Sequence, residues 1–575
     1  MRVLGINAVF HDPAAALVVD GRIVAAAEEE RFSRRKHGKP CVPFSTWELP
    51  EQAAAWCLEQ AGIRPSDLDA VAYSYDPALA AGSNGDVTAD EWEGLRTLFV
   101  ERAPSFLVSA LPGLDATRVH FVPHHMAHAA SAYLAGPAPT TSVIVLDGRG
   151  ECSSYLAGQV LDGRFSPLAR QGLPHSLGLR YEEVTEHLGF RRSSDEYKVM
   201  AMAAYGKPRW LSEFRAAMHA TSDGGFVALP LDLERFVPRS APGAQWHQEH
   251  ADLAASMQRC LEETLLEIAR WLHARTGDSH LAMAGGVALN CVANSRLAEE
   301  GPFRTVWIQP AAGDSGTALG AALLVASRSG DRIVGMHTAA LGRSWTDDQI
   351  ANWLEVAALP LQREADIAEA VGDIIARNGV VAWFQGRSEY GPRALGHRSL
   401  LANASYPDNL SRLNDIKGRE QFRPVAPMVL AERAADIFDG PLPSPFMLFT
   451  QRVKPHWAAR IPAALHVDGT ARVQTVDRRD EPLVARMLQA VERRTGIPLV
   501  INTSLNTAGR PMVDDPRDAL ECFGSAPVDA MALGSFLLRR ELPTGRSEPA
   551  SDGRGAANGT LEHAPALGLR AAAVP

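Results

Sequence analysis

The chain repeats the strand pattern with which it begins. The opening has three apolar runs, separated first by a polar loop and then by Asp20-Gly21. The same order recurs at 142–165, with Asp147-Gly148 in the loop and Asp162-Gly163 at the turn. The runs are 3–6, 14–19 and 23–26 in the first copy, and 143–146 and 155–160 in the second. Asp-Gly between apolar runs is typical of a tight hairpin. The repeat predicts a duplicated α/β architecture with a cleft between two halves.

The length of 575 residues predicts three or four structural units, at roughly 100–200 residues each. Apolar residues at spacings of three and four predict amphipathic helices at 52–60 and 251–275. The composition changes after about residue 340, where the sequence predicts a helix at 367–377 and a strand at 380–384. We therefore place a domain boundary near 340–365. Beyond 541 the chain is rich in Gly, Ala, Pro and Ser, which predicts a disordered tail at 541–575.

Charge and hydropathy exclude several classes. The net charge of −10 argues against a surface that binds nucleic acid or anionic lipid as a whole. The start lacks the features of a signal peptide, and no apolar run approaches the ~20 residues that span a bilayer, so we expect a cytoplasmic protein. The six cysteines form no Cys-x-x-Cys pair, which indicates neither a disulfide framework nor a thiolate zinc site.

A histidine-rich segment carries the strongest metal signal. His124 and His128 share one face of a helix at i and i+4, whereas His125 points away. Asp314 lies between glycines, before a run of small residues, and is a candidate third ligand. Two histidines and a carboxylate suit Fe(II), with Mn or Zn as rivals. The alternative is a helix start whose histidines are hydrogen-bonded core residues.

The loops after the predicted strands supply further polar groups. The first carries Asn7, His11 and Asp12, and the second begins with Asp147, a carboxylate better placed for a ligand than for packing. Such a loop is also compatible with a simple turn. A third loop, Gly285-Gly286 with Asn290, would let backbone amides approach a phosphate or nucleotide, although paired glycines also mark any tight strand-to-helix turn.

The stretch 385–425 is basic within an acidic chain. It holds seven Arg or Lys residues against four acids, a local net charge of +3. Arginine binds phosphate oxygens bidentately, and a strand would place Lys417 and Arg419 on one face for phosphate or adenylate recognition. The alternative is a solvated basic loop.

Taken together, these segments resemble known families. The first 340 or so residues resemble the actin-like (ASKHA) superfamily, in particular its tRNA threonylcarbamoyl transferase branch, whose metal site pairs His-x-x-x-His with a late aspartate. The openings GINAVFHDPAAA and AEEERFSRRKH are similar to the O-carbamoyltransferases of nodulation-factor and antibiotic biosynthesis. The resemblance implies a duplicated actin-like domain at 1–345. It also implies metal ligation by His124, His128, Asp314 and Asp147.

The C-terminal part resembles the YrdC-like domain that makes acyl-adenylates, and implies such an α/β domain at 365–540. Its Lys-x-Arg and Ser positions match Lys417, Arg419 and Ser504. The remaining candidates for binding nucleotide or carbamoyl phosphate are Arg393, Arg398, Arg423, Arg472, Asn502 and Asn506.

The resemblance implies two half-reactions. ATP with Mg²⁺ and carbamoyl phosphate would give carbamoyl-adenylate, which would then bind near Gly285, Gly286 and Asn290 and pass its carbamoyl group to a hydroxyl. His11 or Asp12 is the candidate proton acceptor, with His37 as second choice. The acceptor would be a small-molecule antibiotic, on the closest likeness the sugar of tobramycin or kanamycin. A homodimer is a further hypothesis, since large cytoplasmic enzymes are often symmetric dimers.

Two other classes stay open. One is an enzyme that modifies tRNA by threonylcarbamoyl transfer, against which the acidic balance and the lack of a basic stripe outside 385–425 count. The other is an ATP-binding protein of the actin superfamily that transfers no carbamoyl group and in which the histidine pair is structural.

Overall fold

The computed structural model describes residues 1–38, 49–81, 91–507 and 509–540. The predicted tail at 541–575 lies outside the described residues. Residues Met1–Arg539 form one compact unit. No helix in the described ranges combines the length and apolar character needed to cross a bilayer.

The first sheet is built from the opening of the chain. Its strand order is β3-β2-β1-β4-β5, with β1 antiparallel to β2 and parallel to β4. The strands are β1 (Arg2–Asn7), β2 (Ala14–Val19), β3 (Arg22–Glu28), β4 (Ala70–Tyr73) and β5 (Val119–Phe121). The helices of this part are α1 (Glu30–Ser33), α2 (Glu51–Ala61), α3 (Pro77–Ala81), α4 (Glu91–Ala110) and α5 (His124–Tyr133).

The second sheet has the same topology. Its order is β12-β11-β6-β7-β8, with β6 antiparallel to β7 and parallel to β11. Its strands are β6 (Thr141–Leu146), β7 (Ser153–Leu161), β8 (Arg164–Gly172), β11 (His280–Ala284) and β12 (Thr305–Ile308), and a separate pair comprises β9 (Met218–Ala220) and β10 (Phe226–Ala228). The helices are α6 (Leu177–His187), α7 (Glu196–Ala203), α8 (Leu211–Ala217), α9 (Gln248–Thr276), α10 (Cys291–Glu300) and α11 (Ser315–Arg328). The internal repeat predicted from the sequence is therefore confirmed.

Helices α5 and α11 pack on each other, and Leu319 of α11 shares one core with Val3 of the first sheet and Val143 of the second. Small residues make this close packing feasible. A Cβ added at Gly320 would stand 1.8 Å from the carbonyl oxygen of Ala127, so only glycine fits at this crossing.

The last part forms a third, mixed sheet of order β19-β15-β20-β14-β13-β21-β22, and a small sheet β16-β17-β18. The strands are β13 (Val381–Phe384), β14 (Arg398–Asn403), β15 (Ala426–Leu430), β16 (Phe438–Asp439), β17 (Gln451–Val453), β18 (Thr470–Ala471), β19 (Gln474–Val476), β20 (Leu499–Ser504), β21 (Ala530–Leu533) and β22 (Phe536–Arg539). The helices are α12 (Asp347–Val356), α13 (Ile367–Ala376), α14 (Asp408–Ile416), α15 (Ala431–Ile437), α16 (Pro455–Ala458), α17 (Pro482–Thr495) and α18 (Pro516–Ser525).

The helices predicted at 52–60, 251–275 and 367–377 are confirmed as α2, α9 and α13. The boundary near 340–365 stays a prediction, because hydrogen bonds join the parts on either side of it. Tyr390 donates from its hydroxyl to the carbonyl oxygen of Ser315, and Arg31 donates to the carbonyl oxygen of Gly391 at 3.0 Å.

Candidate metal centre and anion site

Helix α5 places two histidines in the interior, one turn apart at its N-terminal end. His124 and His128 are fully buried, and their Nε2 atoms lie 3.2 Å apart. Nδ1 of His124 lies 3.2 Å from the carbonyl oxygen of Ser74, so it carries the proton and leaves the Nε2 lone pair free. Glu151 accepts the backbone N–H of His124 at 2.7 Å, which fixes the start of the helix.

Two carboxylates face this pair. Asp147 follows strand β6, and Asp314 precedes helix α11. Oδ2 of Asp147 lies 3.5 Å from Nε2 of His124 and 3.7 Å from Nε2 of His128, and Oδ1 of Asp314 lies 3.6 Å from each. Ligand atoms about 2.1 Å from one metal lie roughly 3–4 Å from each other. The four side chains therefore have the spacing of a metal-ligand set.

The chemistry of these four residues fits a cation. Both oxygens of Asp314 are buried and have no hydrogen-bond partner among the described residues. Burial alone would lower the pKa of His124, but Asp314 and Asp147 outweigh it and raise that pKa to about 10. Burial would likewise raise the pKa of Asp314, yet His11 and His124 hold it at about 2. The site demands positive charge, which a divalent metal supplies.

His125 lies outside this set, as the helical spacing predicts. Its Nδ1 lies 3.2 Å from Oγ of Ser153, and its Nε2 is buried without a hydrogen-bond partner in the described part of the chain. Burial lowers its pKa to about 3. His125 is therefore a neutral core residue.

Three predicted catalytic candidates meet beside the metal set. Asp12 lies between two imidazoles: its Oδ2 is 3.0 Å from Nδ1 of His11, and its Oδ1 is 2.7 Å from Nδ1 of His37. Nε2 of His37 lies 3.0 Å from Oγ of Ser194, whereas Nε2 of His11 lies 3.8 Å from Oδ2 of Asp314. All three catalytic candidates are partly exposed.

The glycine loop after β11 supports the metal set. Gly286 donates its N–H to Oδ1 of Asp147 at 2.8 Å. Gly285 has a φ of 94°, and a Cβ there would stand 2.1 Å from the carbonyl oxygen of Leu146. Asn290 caps helix α10 and exchanges hydrogen bonds with Gln258. The Gly286 amide and the Asn290 side chain, both predicted to bind adenylate, are thus already engaged within the protein.

The placement of Lys417 and Arg419 on a strand was wrong. Lys417 follows helix α14, and Gly418 has a φ of 55°, so the chain turns away from the helix at this point. Both cations nevertheless face strand β20. Nζ of Lys417 donates to Oγ of Ser504 at 3.0 Å and to Oδ1 of Asn506, and Arg419 donates to Oγ1 of Thr503 at 3.3 Å. Burial and the charge of Arg419 hold the pKa of Lys417 well below its usual range.

Arginines crowd the same place. Burial, and then the charge of Arg472, lower the pKa of Arg393 to about 9. Burial with Arg423 and Arg472 lowers that of Arg419 to about 9 as well. Nε of Arg393, Nη2 of Arg419 and Nε of Arg472 are buried and find no acceptor among the described residues. Unpaired, like-charged donors in the interior indicate an anion site.

Two of the predicted binding residues lie elsewhere. Arg398 is fully buried, stacks 3.7 Å from the ring centre of Phe384 and donates to backbone carbonyls, including that of Arg343 at 3.0 Å. Asn502 donates to the carbonyl oxygen of Ala394 at 3.0 Å. Both Nη atoms of Arg398 and the side-chain amide nitrogen of Asn502 are thus engaged within the protein, whereas Nε of Arg398 finds no acceptor among the described residues.

Helix α7 supplies residues that the sequence did not point to. The guanidinium of Arg423 lies 4.6 Å from the ring centre of Tyr197, and Nζ of Lys198 pairs with Glu420 at 2.8 Å. Arg393 also lies 3.4 Å from the carbonyl oxygen of Leu289, which follows the glycine loop. The anion site is therefore bordered by both parts of the chain. No local motif marks α7, since only long-range packing brings it here.

The structure defines an α/β protein with a buried His/Asp metal-ligand set and an arginine-rich anion site. The chain belongs to the carbamoyltransferase family: residues 2–323 match the model of the carbamoyltransferase N-terminus, and residues 372–540 match that of the C-terminus.

Relatives match along most of the chain. The nodulation protein NolNO of Sinorhizobium fredii is 35% identical over 560 residues, which cover 93% of this chain and 80% of the relative. Nodulation protein U of the same species is 32% identical, with 91% and 96% covered. The uncharacterized protein sll1178 of Synechocystis is 34% identical, with 95% and 98% covered.

Among solved structures, HypF of T. kodakarensis matches with a TM-score of 0.33 and 15% identity, over 58% of this chain and 49% of that one. An ROK hexokinase of Thermus thermophilus matches with a TM-score of 0.29 and 16% identity, over 56% and 98%. Scores at this level support no argument about fold or function.

Proposed function

We propose that the chain is an ATP-dependent O-carbamoyltransferase that makes carbamoyl-adenylate from carbamoyl phosphate and ATP with Mg²⁺, and transfers the carbamoyl group to a hydroxyl. Water would cleave carbamoyl phosphate to carbamate and orthophosphate, and a carbamate oxygen would attack the α-phosphorus of ATP and displace pyrophosphate. The acceptor hydroxyl would then attack the carbamoyl carbon and displace AMP. The observation that carries the proposal is the cluster of Lys417 and four arginines, several of whose donors are buried without an acceptor in the described ranges. Such donors suit the phosphates of a nucleotide and the displacement at phosphorus.

We assign the two half-reactions to two domains. Residues 1–345 would form an actin-like domain of two lobes, which the repeated sheet topology supports. Residues 365–540 would form a YrdC-like adenylation domain, which the contacts of Lys417 with Ser504 and Asn506 support. In that domain Arg393, Arg419, Arg423 and Arg472 would neutralise phosphate charge.

His124, His128, Asp147 and Asp314 would hold the metal, Fe(II) on the resemblance and Mn or Zn as rivals. When bound, such a metal supplies a Lewis acid beside the carbamoyl group or the adenylate phosphate. The protein's own part is to keep both carboxylates ionised and the imidazoles oriented, through the Gly286 amide and the Ser74 carbonyl. Gly285, Gly286 and Asn290, whose backbone amides donate to Ala312, Asp147 and Val287, would line the adenylate pocket without donating these amides to the ligand.

His11 is our proton acceptor. Burial would lower the pKa of His11, but Asp314 and Asp12 outweigh it and raise that pKa well above its ordinary value. A cation bound by Asp314 would offset that carboxylate and favour the neutral imidazole. Because Asp12 faces Nδ1, the proton of the neutral ring would lie there, and the Nε2 lone pair would take the proton of the attacking hydroxyl. His37 has both ring nitrogens engaged, with Asp12 and Ser194, and would orient Asp12. This arrangement ranks His11 above Asp12 and His37 as the base.

The acceptor would be a hydroxylated small molecule such as the aminoglycosides tobramycin or kanamycin. The anion site gathers Lys417 and its arginines into one recessed cluster with buried donors, whereas tRNA binding needs a basic surface, and this counts against tRNA as substrate.

Two measurements test the function. Release of pyrophosphate from ATP should require carbamoyl phosphate, and a panel of hydroxylated antibiotics should yield one product that is heavier by one carbamoyl group. Pyrophosphate release without carbamoyl phosphate, or none with it, would overturn the adenylation step. A carbamoylated tRNA in place of an antibiotic would overturn the acceptor class.

A further inference from the structure

A carboxylate lies against the loop that carries Asp147. Helix α6 begins at this loop, because its cap Ser176 donates to the carbonyl oxygen of Gly148 at 2.7 Å. One turn along α6, Oε1 of Glu182 lies 3.1 Å from the position that a Cβ at Gly148 would take. Glycine therefore lets the Glu182 carboxylate approach the residue next to a metal-set aspartate.

A second carboxylate, that of Glu196, lies at the start of α7. Ser193, three residues before it, donates from Oγ to Oε2 of Glu182 at 3.1 Å. Oγ of Ser194 lies 3.0 Å from Nε2 of His37, which shares Asp12 with His11. Oε1 of Glu196 is buried and accepts no hydrogen bond from the described residues. Burial, reinforced by the charge of Glu182, raises the pKa of Glu196 to about 7, while His11 acts in the opposite direction. The segment that leads into α7 therefore joins Glu182 to the group of Asp12, His37 and the proposed base His11.

The basic side chains near Glu182 and Glu196 do not neutralise the charge of the two carboxylates. Arg192 binds Oε2 of Glu182 at 2.8 Å and is itself partly exposed. Lys198 is engaged by Asp195 and Glu420. Within the described part of the chain, no ion pair reaches Glu196. Two carboxylates share one partly exposed arginine, which leaves a local negative charge at the start of α7.

We infer that Glu182 and Glu196 form an acceptor subsite that binds a protonated amine, so that the enzyme selects hydroxylated acceptors that also carry an ammonium group. An ammonium brings three N–H donors and a positive charge, which satisfy Oε1 of Glu196 and offset both carboxylates. An ammonium group bound there would hold a hydroxyl of the same acceptor molecule close to His11, the proposed base. This inference rests on the proposed function and names the substrate class of the same site.

Calorimetric titration with kanamycin tests the subsite. Per-N-acetylated kanamycin is the matched probe, because it keeps the hydroxyls and loses the charge. We expect the wild type to bind kanamycin at least about tenfold more tightly than the acetylated form, and Glu196→Gln and Glu182→Gln to lose most of that difference. Glu183→Gln is the control, since Glu183 is on the same helix but pairs with Arg180.

Equal affinity for the two probes, no binding of kanamycin, or an unchanged preference in Glu196→Gln would overturn the subsite. Pyrophosphate release that depends on carbamoyl phosphate is measured on the same preparations. If it is present while the amine preference is absent, only the subsite fails. If it is absent from the wild type, the proposed function itself fails.

Discussion

The Nε2 atoms of His124 and His128 lie 3.2 Å apart in the centre of the molecule, with both side chains fully buried. Two imidazole nitrogens at this distance either share a proton or face a common cation. Because Nδ1 of His124 faces the carbonyl oxygen of Ser74, its Nε2 has a free lone pair, and the carboxylates of Asp147 and Asp314 lie beside it. A shared cation satisfies all four groups.

The first prediction concerns metal content. His124→Ala removes one of four ligands, so we expect metal affinity to fall at least about tenfold. His125→Ala is the matched control, because His125 is the next residue of α5 and lies outside the set. Elemental analysis of purified protein by mass spectrometry measures the metal per chain. Wild-type metal content in His124→Ala would contradict the assignment.

The second prediction separates the anion site from the metal set. Lys417→Met keeps the length of the side chain and removes the charge, and we expect pyrophosphate release to fall about 100-fold or more. Lys454→Met is the control, because Lys454 lies at the surface and pairs with Asp439. The metal content of both variants should equal that of the wild type. Full pyrophosphate release in Lys417→Met would refute the site.

Local patterns account for what the sequence predicts well. The hairpins follow from apolar alternation and Asp-Gly turns, which are decided by neighbouring residues, so β1 to β3 and their repeat were predictable. The grouping of His124 with His128 follows from helical spacing alone. Asp147 and Asp314 could be nominated because a polar group after a strand or before a helix lies at the edge of the packed core.

The features that the sequence does not predict depend on contacts between segments that are distant along the chain. No residue near Gly418 indicates that its φ is positive, and this φ is what keeps Lys417 and Arg419 from lying on a strand. Arg398 belongs to the same basic stretch as Arg393, yet burial against Phe384 commits it to backbone carbonyls. Glu182, Glu196 and Tyr197 reach the two sites only through the packing of α6 and α7.

A third prediction concerns stability, because the buried arginines of the anion site repel each other. Burial and Arg472 hold the pKa of Arg393 at about 9, so its charge costs stability at neutral pH. We expect Arg393→Met to raise the free energy of unfolding by about 1–3 kcal/mol and to weaken ATP binding. Burial also lowers the pKa of Arg398, to about 10, but its guanidinium donates to the backbone carbonyls of Gln385, Gly386, His397 and Arg343. Arg398→Met should therefore lower the free energy of unfolding, because these buried carbonyls lose their donor. Denaturant titration without nucleotide compares the two, and the same sign for both would contradict this account.

A fourth prediction concerns the pH dependence of stability. The pKa of Glu196 rises from 4.5 to about 7 on folding, through burial and Glu182 and against His11. Between these values the folded state holds the proton more tightly, so stability falls as pH rises from about 4.5 to 7, and the cost stays above that. Glu196→Gln should therefore be more stable than the wild type at pH 8, by up to about 3 kcal/mol, and equally stable at pH 4. Equal stability of the two proteins at both pH values would exclude a buried, titrating Glu196.

The fifth prediction tests whether α7 shapes the anion site. The ring of Tyr197 lies under the guanidinium of Arg423 at 4.6 Å, and this contact orients a cation that like charges would otherwise displace. A cation–π contact of about 1 kcal/mol corresponds to roughly a fivefold change in binding, so Tyr197→Leu should raise KM for ATP about three- to tenfold with little change in kcat. Tyr406→Leu is the control, because Tyr406 is 42% exposed. A loss confined to kcat would mean that Tyr197 acts on the chemical step instead, and an unchanged KM would show that Arg423 is held by its other neighbours.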